Sequence, residues 1–510
     1  MANIPPGQVK KHLNGVTLLC LAFVICNSWA GIAGSLQLAL LAGGPSTLIY
    51  SILVSTSAYL AISSSLAELA SVYPTAGGQY HFTSILAPKK WRRGLSYACG
   101  ILSLFSWLAI GVSVTIVSSQ QLLALVSTGT SGFEVKRWHV FFCYEGFALL
   151  SVLYNTLLLK RNPWTHNIGF ALTIVLFLVA FISLLVRANP KQSHEFVWDT
   201  LLNFTGWPDG VCFLIGLSTS CYMYIGVDAS MHMAEECSNP ERAVPRTMVG
   251  AIGIGFTTGF AYAVAQVYAI YNVEEIMLSS QWIPFLVLEQ GLRSRTFALV
   301  LTAFTIVMAL FIIIASQETS SRMVWALARD HGLVFSRHLE KIDSHLDVPI
   351  WGLFLVWLMT SLCGFLYLAS QTAFNAIVGS SVIFQQLSFA IPILLLLMRK
   401  RSTTYLPPTR TFSMPNVLGW TVNIYALSFI TLMTVILCLP FTLPTDAATM
   451  NYTSVILGLC LLFGLVNWWL HAKTRYNGPV MEQSEDQDSD PVSVLAVPRQ
   501  SNHLDKLNIK

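Results

Sequence analysis

Apolar residues fall into blocks of about 20, the length of helix needed to cross about 30 Å of hydrocarbon, and short polar stretches separate the blocks. Twelve such blocks predict twelve membrane spans, at 16–40, 48–69, 95–125, 140–159, 167–186, 210–234, 247–271, 297–317 (running on helically to about 328), 350–369, 374–398, 417–440 and 453–471. No connection between them is long enough to form a further folded domain. The pattern therefore predicts an all-α, polytopic membrane protein whose chemistry lies within the membrane.

The composition and the charge distribution support this topology. Hydrophobic residues make up 54% of the chain and charged residues 11%, against roughly 25% charged in an ordinary soluble domain. With a cytoplasmic N-terminus, 23 of the 29 Lys and Arg residues fall on the cytoplasmic side and 6 on the other. Since positive residues favour the cytoplasm, both termini are predicted there. The sequons at Asn203 and Asn451 then lie outside, as N-glycosylation requires.

The spans offer little support for an enzyme, a pump or a channel. Two His-x4-Asp patterns, His194/Asp199 and His338/Asp343, suggest acyl transfer, but they lie in polar connections on opposite sides of the membrane. A polytopic membrane enzyme is kept as an alternative. The chain has no phosphate-binding P-loop, and nothing in it suggests a selectivity filter. Secondary transport of a small molecule is therefore the favoured class, with no cofactor, metal or nucleic acid expected.

Two spans carry glycines near their middle. Span 1 contains Gly31-Ile32-Ala33-Gly34-Ser35, and span 6 contains Gly226 followed by Asp228. Glycine costs about 1 kcal/mol relative to alanine inside a helix. Glycines in membrane helices also allow close packing. A matched pair of interruptions, however, is typical of transporters that bind substrate between broken helices of two inverted repeats. Spans 1 and 6 are five apart and so run in opposite directions, as such a repeat requires.

The predicted organisation follows from this repeat. Two five-helix repeats of opposite orientation carry broken helices 1 and 6, and two extra helices follow. The predicted segments are a cytoplasmic N-terminal tail at 1–15, the first repeat at 16–187, the second repeat at 210–398, helices 11 and 12 at 417–471, and a disordered cytoplasmic tail at 472–510.

Several stretches resemble a known family. GIAGSLQLALLAGGP and SSLAELASVYPTAGGQYHF in the first third, GVDASMHMAEECSNPERAVPRTM around span 6 and SSRMVWALARDHGL after span 8 carry the likeness. They resemble the amino acid–polyamine–organocation superfamily, and within it the fungal branch of choline, GABA and amino-acid permeases. The resemblance covers about 16–400 and implies a multi-pass permease of the plasma membrane.

The resemblance implies a substrate site made largely of backbone. The N–H groups of Gly31, Ile32, Ala33, Gly34 and Ser35 would attract a carboxylate at the positive end of a half-helix. The carbonyls around Tyr222, Tyr224, Ile225 and Gly226 would face an ammonium group. Such a site would bind a zwitterion through backbone groups and use almost no charged side chains. This suits the membrane interior, where an unpaired charge is costly.

Asp228 has two interpretations at this stage. It could bind the substrate amine or a coupling proton. It could also cap the second half-helix of span 6, and this interpretation is favoured because a cap is local and needs no substrate.

Ion coupling rests on resemblance. In sodium-coupled relatives, hydroxyls of span 8 hold the ion, and the corresponding candidates here are Ser316, Thr319 and Ser320, with Glu318 a further candidate for coupling. Span 5 lacks the lysine that some proton-coupled relatives use. Proton symport is expected from the family, and facilitated exchange is the alternative.

Charged residues near the cytoplasmic ends of the spans are expected to form an inner gate. The candidates are Glu68, Arg92, Glu235, Glu236, Arg246 and Arg322. The three glutamates are predicted to pair with Arg92, Arg93 or Arg246, while Arg322 pairs with Glu318 at i,i+4. The substrate is ranked as an amino acid or GABA first, because Gly31 to Ser35 favour a ligand with a carboxylate. Choline is second, since aromatic residues such as Trp29 and Tyr222 could hold a quaternary ammonium group, and a polyamine is third.

Overall fold

The computed structural model describes residues 11, 13–130, 132–162, 164–279, 282–343, 345–447 and 449–479. Most of the two predicted tails, residues 1–10, 12 and 480–510, therefore lies outside the described residues. Every regular secondary-structure element among the described residues is a helix, and twelve helical segments are long and apolar enough to cross a membrane. The predicted fold class is confirmed.

Ten spans are single helices and two are broken. Span 1 comprises Gly15–Cys26 and Ser28–Leu41, and span 6 comprises Asp209–Cys221, a 3-10 turn at Tyr222–Tyr224 and Ala229–His232. The remaining spans are Gly44–Ala70, Arg92–Gly129, Arg137–Leu157, Thr165–Arg187, Pro240–Ala269, Arg295–Arg329, Ile350–Ala369, Gln371–Met398, Asn416–Ile436 and Thr453–Arg475, the last passing through a π-helical turn at Trp468–Ala472. Short helices between spans are Gln79–Leu86, Leu159–Arg161, His194–Trp198, Ala234–Glu236, Val273–Leu278, Ile283–Leu292 and Ser336–Leu339.

The break in span 1 lies at Asn27, so the predicted break at Gly31–Ser35 was wrong. Asn27 has φ +34° and ψ +54° and separates the two half-helices. Asparagine is one of the few residues other than glycine that adopt this left-handed conformation readily. Gly31 is helical, and its N–H donates to the Asn27 carbonyl at 3.0 Å.

The break in span 6 lies where the sequence predicted it. The helix tightens to a 3-10 turn after Cys221, becomes extended at Ile225 and turns at Gly226, which has φ +80°. A Cβ on Gly226 would lie 2.5 Å from the Ile25 side chain. Glycine is therefore required there both for the backbone conformation and for the close approach of span 1.

The packing of the spans follows the inverted repeat. Span 1 contacts span 6, span 2 contacts span 7, span 3 contacts span 8, and span 4 contacts span 9. Each of these is a pair of corresponding helices in the two repeats. Counterparts that meet in this way are the expected arrangement of repeats related by an axis in the membrane plane.

Spans 1 and 6 are tied to each other at two levels. At the breaks, the Ser28 hydroxyl donates to the Met223 carbonyl at 2.7 Å. At the side of the bundle where span 1 begins, called the N-terminal side below, Leu13 forms a parallel backbone bridge to the chain after span 6. Its N–H donates to the Glu236 carbonyl at 3.0 Å, and its carbonyl accepts from Ser238 N–H at 3.1 Å. The opposite side is called the far side.

Candidate functional site

A cavity of about 470 Å³ lies at the two breaks. Its base is formed by Ile25, Cys26 and Asn27 of span 1 and by Ile225 of span 6. It continues past Gly34 and Leu38, both of which are exposed, and so extends towards the far side. Spans 3, 5, 7, 8 and 10 and the helix Ile283–Leu292, with Trp282 just before it, complete the wall.

The cavity is lined without charge. Its polar lining consists of hydroxyl, amide, thiol and indole groups, and none of its described lining residues is Asp, Glu, Lys, Arg or His. Four aromatic residues contribute to the wall, namely Trp29, Tyr222, Tyr262 and Trp282. A pocket that is mostly apolar with a few convergent polar groups is typical of small-molecule binding.

Three buried polar atoms on the cavity wall lack a hydrogen-bond partner among the described residues. They are the Asn27 Oδ1 acceptor and the Nε1–H donors of Trp29 and Trp282. Buried polar groups are almost always hydrogen-bonded, and each exception calls for a reason. All three belong to residues that line the cavity, but the atoms themselves are covered in this conformation, so a ligand reaches them only after the wall adjusts.

The span 1 candidates lie partly on this cavity. Gly31, Ala33, Gly34 and Ser35 line it, whereas Ile32 is fully buried on another face of the helix. Because these residues are helical, their N–H groups do not form the open end of the half-helix, which begins at Ser28 instead. Gly31 packs beside span 6, where a Cβ would make an ordinary contact at 3.5 Å from the Tyr222 carbonyl oxygen.

The span 6 candidates divide in a similar way. Tyr222 and Ile225 line the cavity, and Gly226 forms the turn beneath it. Tyr224 is fully buried and points towards span 2, where its hydroxyl bonds to Thr56 Oγ1 at 2.6 Å. Its side chain therefore braces the break.

Asp228 is a buried hydrogen-bond acceptor, and the favoured cap interpretation was wrong. The residue has helical φ and ψ, and its side chain makes no capping bond. Its oxygens instead accept from Gln79 Nε2 at 2.5 Å, Gln385 Nε2 at 2.9 Å and Trp107 Nε1 at 3.3 Å. His232 Nε2 lies 3.2 Å from Oδ2. The carboxylate thus joins span 6 to span 3, span 10 and the short helix after span 2.

Ion pairs join the elements on the N-terminal side. Glu235 forms a two-pronged pair with Arg329 at 2.8 and 3.0 Å. Burial opposes ionisation of Glu235, but the hydrogen bond and charge of Arg329 outweigh it and lower the pKa of this carboxyl group. Arg322 donates to Glu236 at 2.7 Å and lies 3.7 Å from Glu318, which confirms the i,i+4 pair.

The other predicted gate pairings were wrong. Glu68 is fully buried and pairs with Arg401 at 2.6 Å and Arg410 at 2.8 Å, both in the connection after span 10. Arg92 begins span 3, and the described residues show no ion pair between it and the three glutamates. Arg246 is exposed in a groove beside the start of span 1. Hydropathy cannot choose among arginines that lie hundreds of residues away along the chain.

The hydroxyls proposed for ion binding are used within the helix bundle. Ser316 donates to Ile313 O at 3.0 Å, Thr319 to Ala315 O at 2.9 Å, and Ser320 to Ser316 O at 2.7 Å and Trp107 O at 3.2 Å. None of the three lines the cavity. Glu318 is contacted by the buried His166 of span 5, whose Nε2 lies 2.9 Å from its carboxylate.

Both sequons lie on the far side. The Asn203 amide donates to Trp207 O at 2.7 Å and to Asp209 at 2.9 Å. The Asn451 amide donates to two carbonyls, Leu437 O at 2.8 Å and Leu439 O at 2.9 Å. Both amides are therefore folded back onto the protein, and glycan attachment stays a prediction.

Sequence reasoning missed several residues of the site. Asn27 carried a usable signal, because an asparagine within an apolar run is a candidate for a left-handed residue. The sequence contained no signal for Gln79 and Gln385, since a neutral amide forms no recognisable motif with a distant aspartate. Tyr262, Trp282 and His166 are likewise ordinary residues of a membrane helix or loop until the packing is known.

Comparison with known proteins agrees with this architecture. The amino acid permease family matches residues 16–461. The chain is 29% identical to a choline transporter of Saccharomyces cerevisiae, over 95% of this chain and 85% of that protein. It is 27% identical to amino-acid permease 2 of Neurospora crassa, over 92% of this chain and 86% of that protein.

A solved structure shares the fold. The manganese transporter of Eremococcus coleocola superposes with a TM-score of 0.53 at 15% identity, covering 89% of this chain and 93% of that one. With the broken spans, the cavity between them and a family match over most of the chain, the protein belongs to the amino acid permease family of the amino acid–polyamine–organocation superfamily and is a multi-pass membrane transporter.

Proposed function

We propose that the protein imports an amino acid or a related small amine such as GABA, by alternating access and with proton symport. The observation that carries this proposal is the uncharged cavity at the two helix breaks, whose lining residues include three with unpartnered polar atoms just beneath its surface. Asn27 Oδ1 can accept from a primary ammonium group, and the indole N–H groups of Trp29 and Trp282 can donate to a carboxylate.

The charge of the cavity favours a zwitterion over a polyamine. A polyamine carries several positive charges, and its recognition in a low-dielectric site calls for carboxylates. The described lining has none. A zwitterion has no net charge, so its transfer into an uncharged cavity costs less.

Choline is the second candidate. Its quaternary ammonium group has no N–H to donate to Asn27, but it is attracted to aromatic faces. Trp29, Tyr222, Tyr262 and Trp282 supply such faces, and a choline transporter is among the relatives.

The structure is consistent with one state of an alternating-access cycle. The cavity extends to the exposed Gly34 and Leu38 towards the far side, while a buried pair, Arg322–Glu236, and a partly exposed pair, Arg329–Glu235, hold the N-terminal side. With the N-terminal side facing the cytoplasm, as the distribution of Lys and Arg predicts, this is an outward-facing conformation. Substrate would enter from outside and leave after the ion pairs separate.

One uptake experiment tests the proposal. Cells lacking their own permeases and expressing this chain are offered labelled amino acids, GABA, choline and polyamines. Uptake is measured at an external pH of about 5 and of about 7.5, because the inward proton gradient is larger at the lower pH. Accumulation of an amino acid or GABA, larger at acidic external pH, is expected. Accumulation of choline alone would favour the second candidate, and accumulation of polyamines alone would overturn both.

A further inference from the structure

We propose that the buried pair of Asp228 and His232 holds the proton that is carried with the substrate. This inference rests on the proposed proton symport and assigns it a site. The two side chains are 2% and 0% exposed, and His232 Nε2 lies 3.2 Å from Asp228 Oδ2. The pair lies beneath the floor of the cavity, since Asp228 follows Ile225 by three residues and interacts electrostatically with the Cys26 thiol.

The geometry around His232 requires an additional proton. Its Nδ1 lies 2.9 Å from the Ala76 carbonyl oxygen, which can only accept, so Nδ1 carries a hydrogen. A neutral imidazole has one N–H, and that hydrogen is then used. The contact between Nε2 and Asp228 Oδ2 therefore needs a second proton, either on Nε2 or on the carboxyl group.

The hydrogen bonds to Asp228 place this proton on His232. Gln79 and Trp107 donate to Oδ2, and Gln385 donates to Oδ1. An ionised carboxylate only accepts hydrogen bonds, with about two positions on each oxygen, so its charge suits the N–H groups of Gln79, Trp107 and His232 that converge on Oδ2 and that of Gln385 on Oδ1. A protonated carboxyl group would lose acceptor capacity where several donors converge. The favoured state is an imidazolium next to an aspartate.

Other charged groups near the pair have their own partners. Trp107, Gln79 and Gln385 are neutral, and Cys26 is the titratable group that faces it from span 1. On the facing part of span 8, Glu318, Arg322 and Arg329 contact His166, Glu236 and Glu235, respectively. His81, on the short helix after span 2, is neutral at transport pH because burial lowers its pKa to about 4. The change of charge is assigned to His232 because this pair lies beneath the cavity floor and Asp228 accepts from three further N–H groups.

A single peptide links this pair to the closed side. The Ala76 carbonyl accepts from His232, and the Ala76 N–H donates to Glu235 Oε1 at 3.1 Å. Glu235 in turn holds Arg329. Loss of the proton removes the contact with Asp228 and turns a nitrogen lone pair towards the carboxylate. The proton therefore stabilises the closed N-terminal side, and by linkage an opening of that side weakens proton binding.

The test compares coupling with transport. Purified protein in liposomes is assayed for substrate-driven proton movement, for accumulation against a gradient and for counterflow exchange, normalised to reconstituted protein. His232→Gln and Asp228→Asn are each expected to lose proton movement and accumulation while retaining exchange. His81→Gln, a matched control on the neutral histidine, is expected to keep all three activities.

The outcomes separate this inference from the proposed function. Wild-type transport without proton movement refutes the proposed symport. If the wild type is coupled and His232→Gln is coupled equally well, the Asp228–His232 site is refuted. It is also refuted if His166→Gln loses coupling while His232→Gln keeps it. If neither pair variant can be reconstituted, infrared difference spectra of His166→Gln with and without substrate decide the question. An imidazole protonation band supports the pair, and its absence overturns it.

Discussion

The Ser28 hydroxyl of span 1 donates to the Met223 carbonyl of span 6 over 2.7 Å, so the two broken helices are joined beside the cavity. This bond uses a carbonyl that the break in span 6 would otherwise leave without a partner. An unsatisfied backbone group in the membrane is costly, so each break is stabilised in part by the other. The substrate cavity is therefore framed by two irregular segments that depend on each other.

Replacing Gly34 with leucine is expected to abolish uptake without preventing folding. A Cβ on Gly34 meets nothing within 4 Å, and the residue lines the cavity, so a leucine side chain would fill space needed by the substrate. Gly253→Leu is the matched control, because Gly253 is also unobstructed but lies on an exposed face of span 7. Uptake and surface delivery of both variants are measured, and normal uptake by Gly34→Leu would contradict this position of the cavity.

The Asn27→Gly variant is expected to keep the stability of the wild type, whereas the Asn27→Val variant is expected to be less stable. Asn27 has φ +34°, and a left-handed conformation costs a side chain about 1–2 kcal/mol, more for a β-branched residue, whereas glycine adopts it freely. Thermal unfolding of the purified variants measures the difference. Equal stability of the two variants would show that the backbone of span 1 does not break at Asn27.

Glu68→Gln is expected to destabilise the protein by about 3–5 kcal/mol, because it leaves the buried Arg401 and the largely buried Arg410 without their counter-charge. Arg401 and Arg410 both contact this carboxylate, which also accepts from Met414 N–H. Asp347→Asn provides the comparison, since the Lys160–Asp347 pair is more exposed and such pairs contribute about 0–1 kcal/mol. A similar melting temperature for both variants would argue against a structural role for Glu68.

His81 is expected to make the protein acid-sensitive. Burial lowers its pKa to about 4 from 6.5, so below pH 6.5 the unfolded chain binds a proton that the folded protein does not. Stability is therefore lost as pH falls from about 6.5 towards 4, by about 3 kcal/mol in total. Melting temperatures across this range should fall less in His81→Gln than in the wild type. Parallel curves would assign the acid sensitivity to other groups.

The sidedness of the loops can be tested with introduced cysteines. Ala447 lies in the connection between spans 11 and 12, and Thr403 in the connection between spans 10 and 11. Both are exposed. In intact cells an impermeant maleimide is expected to label Ala447→Cys and not Thr403→Cys. The reverse pattern would invert the predicted orientation, and labelling of both only after permeabilisation would place the protein in an internal membrane.

The sequence was most informative where the physics is local. Twelve spans follow from the length of the apolar blocks, and the break at Gly226 follows from a glycine next to polar residues in a membrane helix. The Glu318–Arg322 pair follows from i,i+4 spacing. The break in span 1 was misplaced because glycine was treated as the only break signal, although the residue with positive φ is Asn27.

Partners of buried charges could not be predicted in the same way. Glu68 meets Arg401 and Arg410 across more than 330 positions of the chain, and the sequence offered several arginines of equal standing. The donors to Asp228 come from three other elements and include neutral amides. These contacts are decided by tertiary packing, which brings together residues with no common pattern.

The backbone bridge at Leu13 joins the stretch just before the first helix of span 1 to the segment after span 6. Spans 1 and 6 are joined there and again at Ser28, so separating them from each other would break bonds at both ends. The contacts of Glu235, Glu236 and Asp228 instead run from this pair to spans 3, 8 and 10 and the segment after span 2. Spans 1 and 6 are therefore expected to move as one unit relative to the rest of the bundle, and the bridge at Leu13 keeps them together on the N-terminal side.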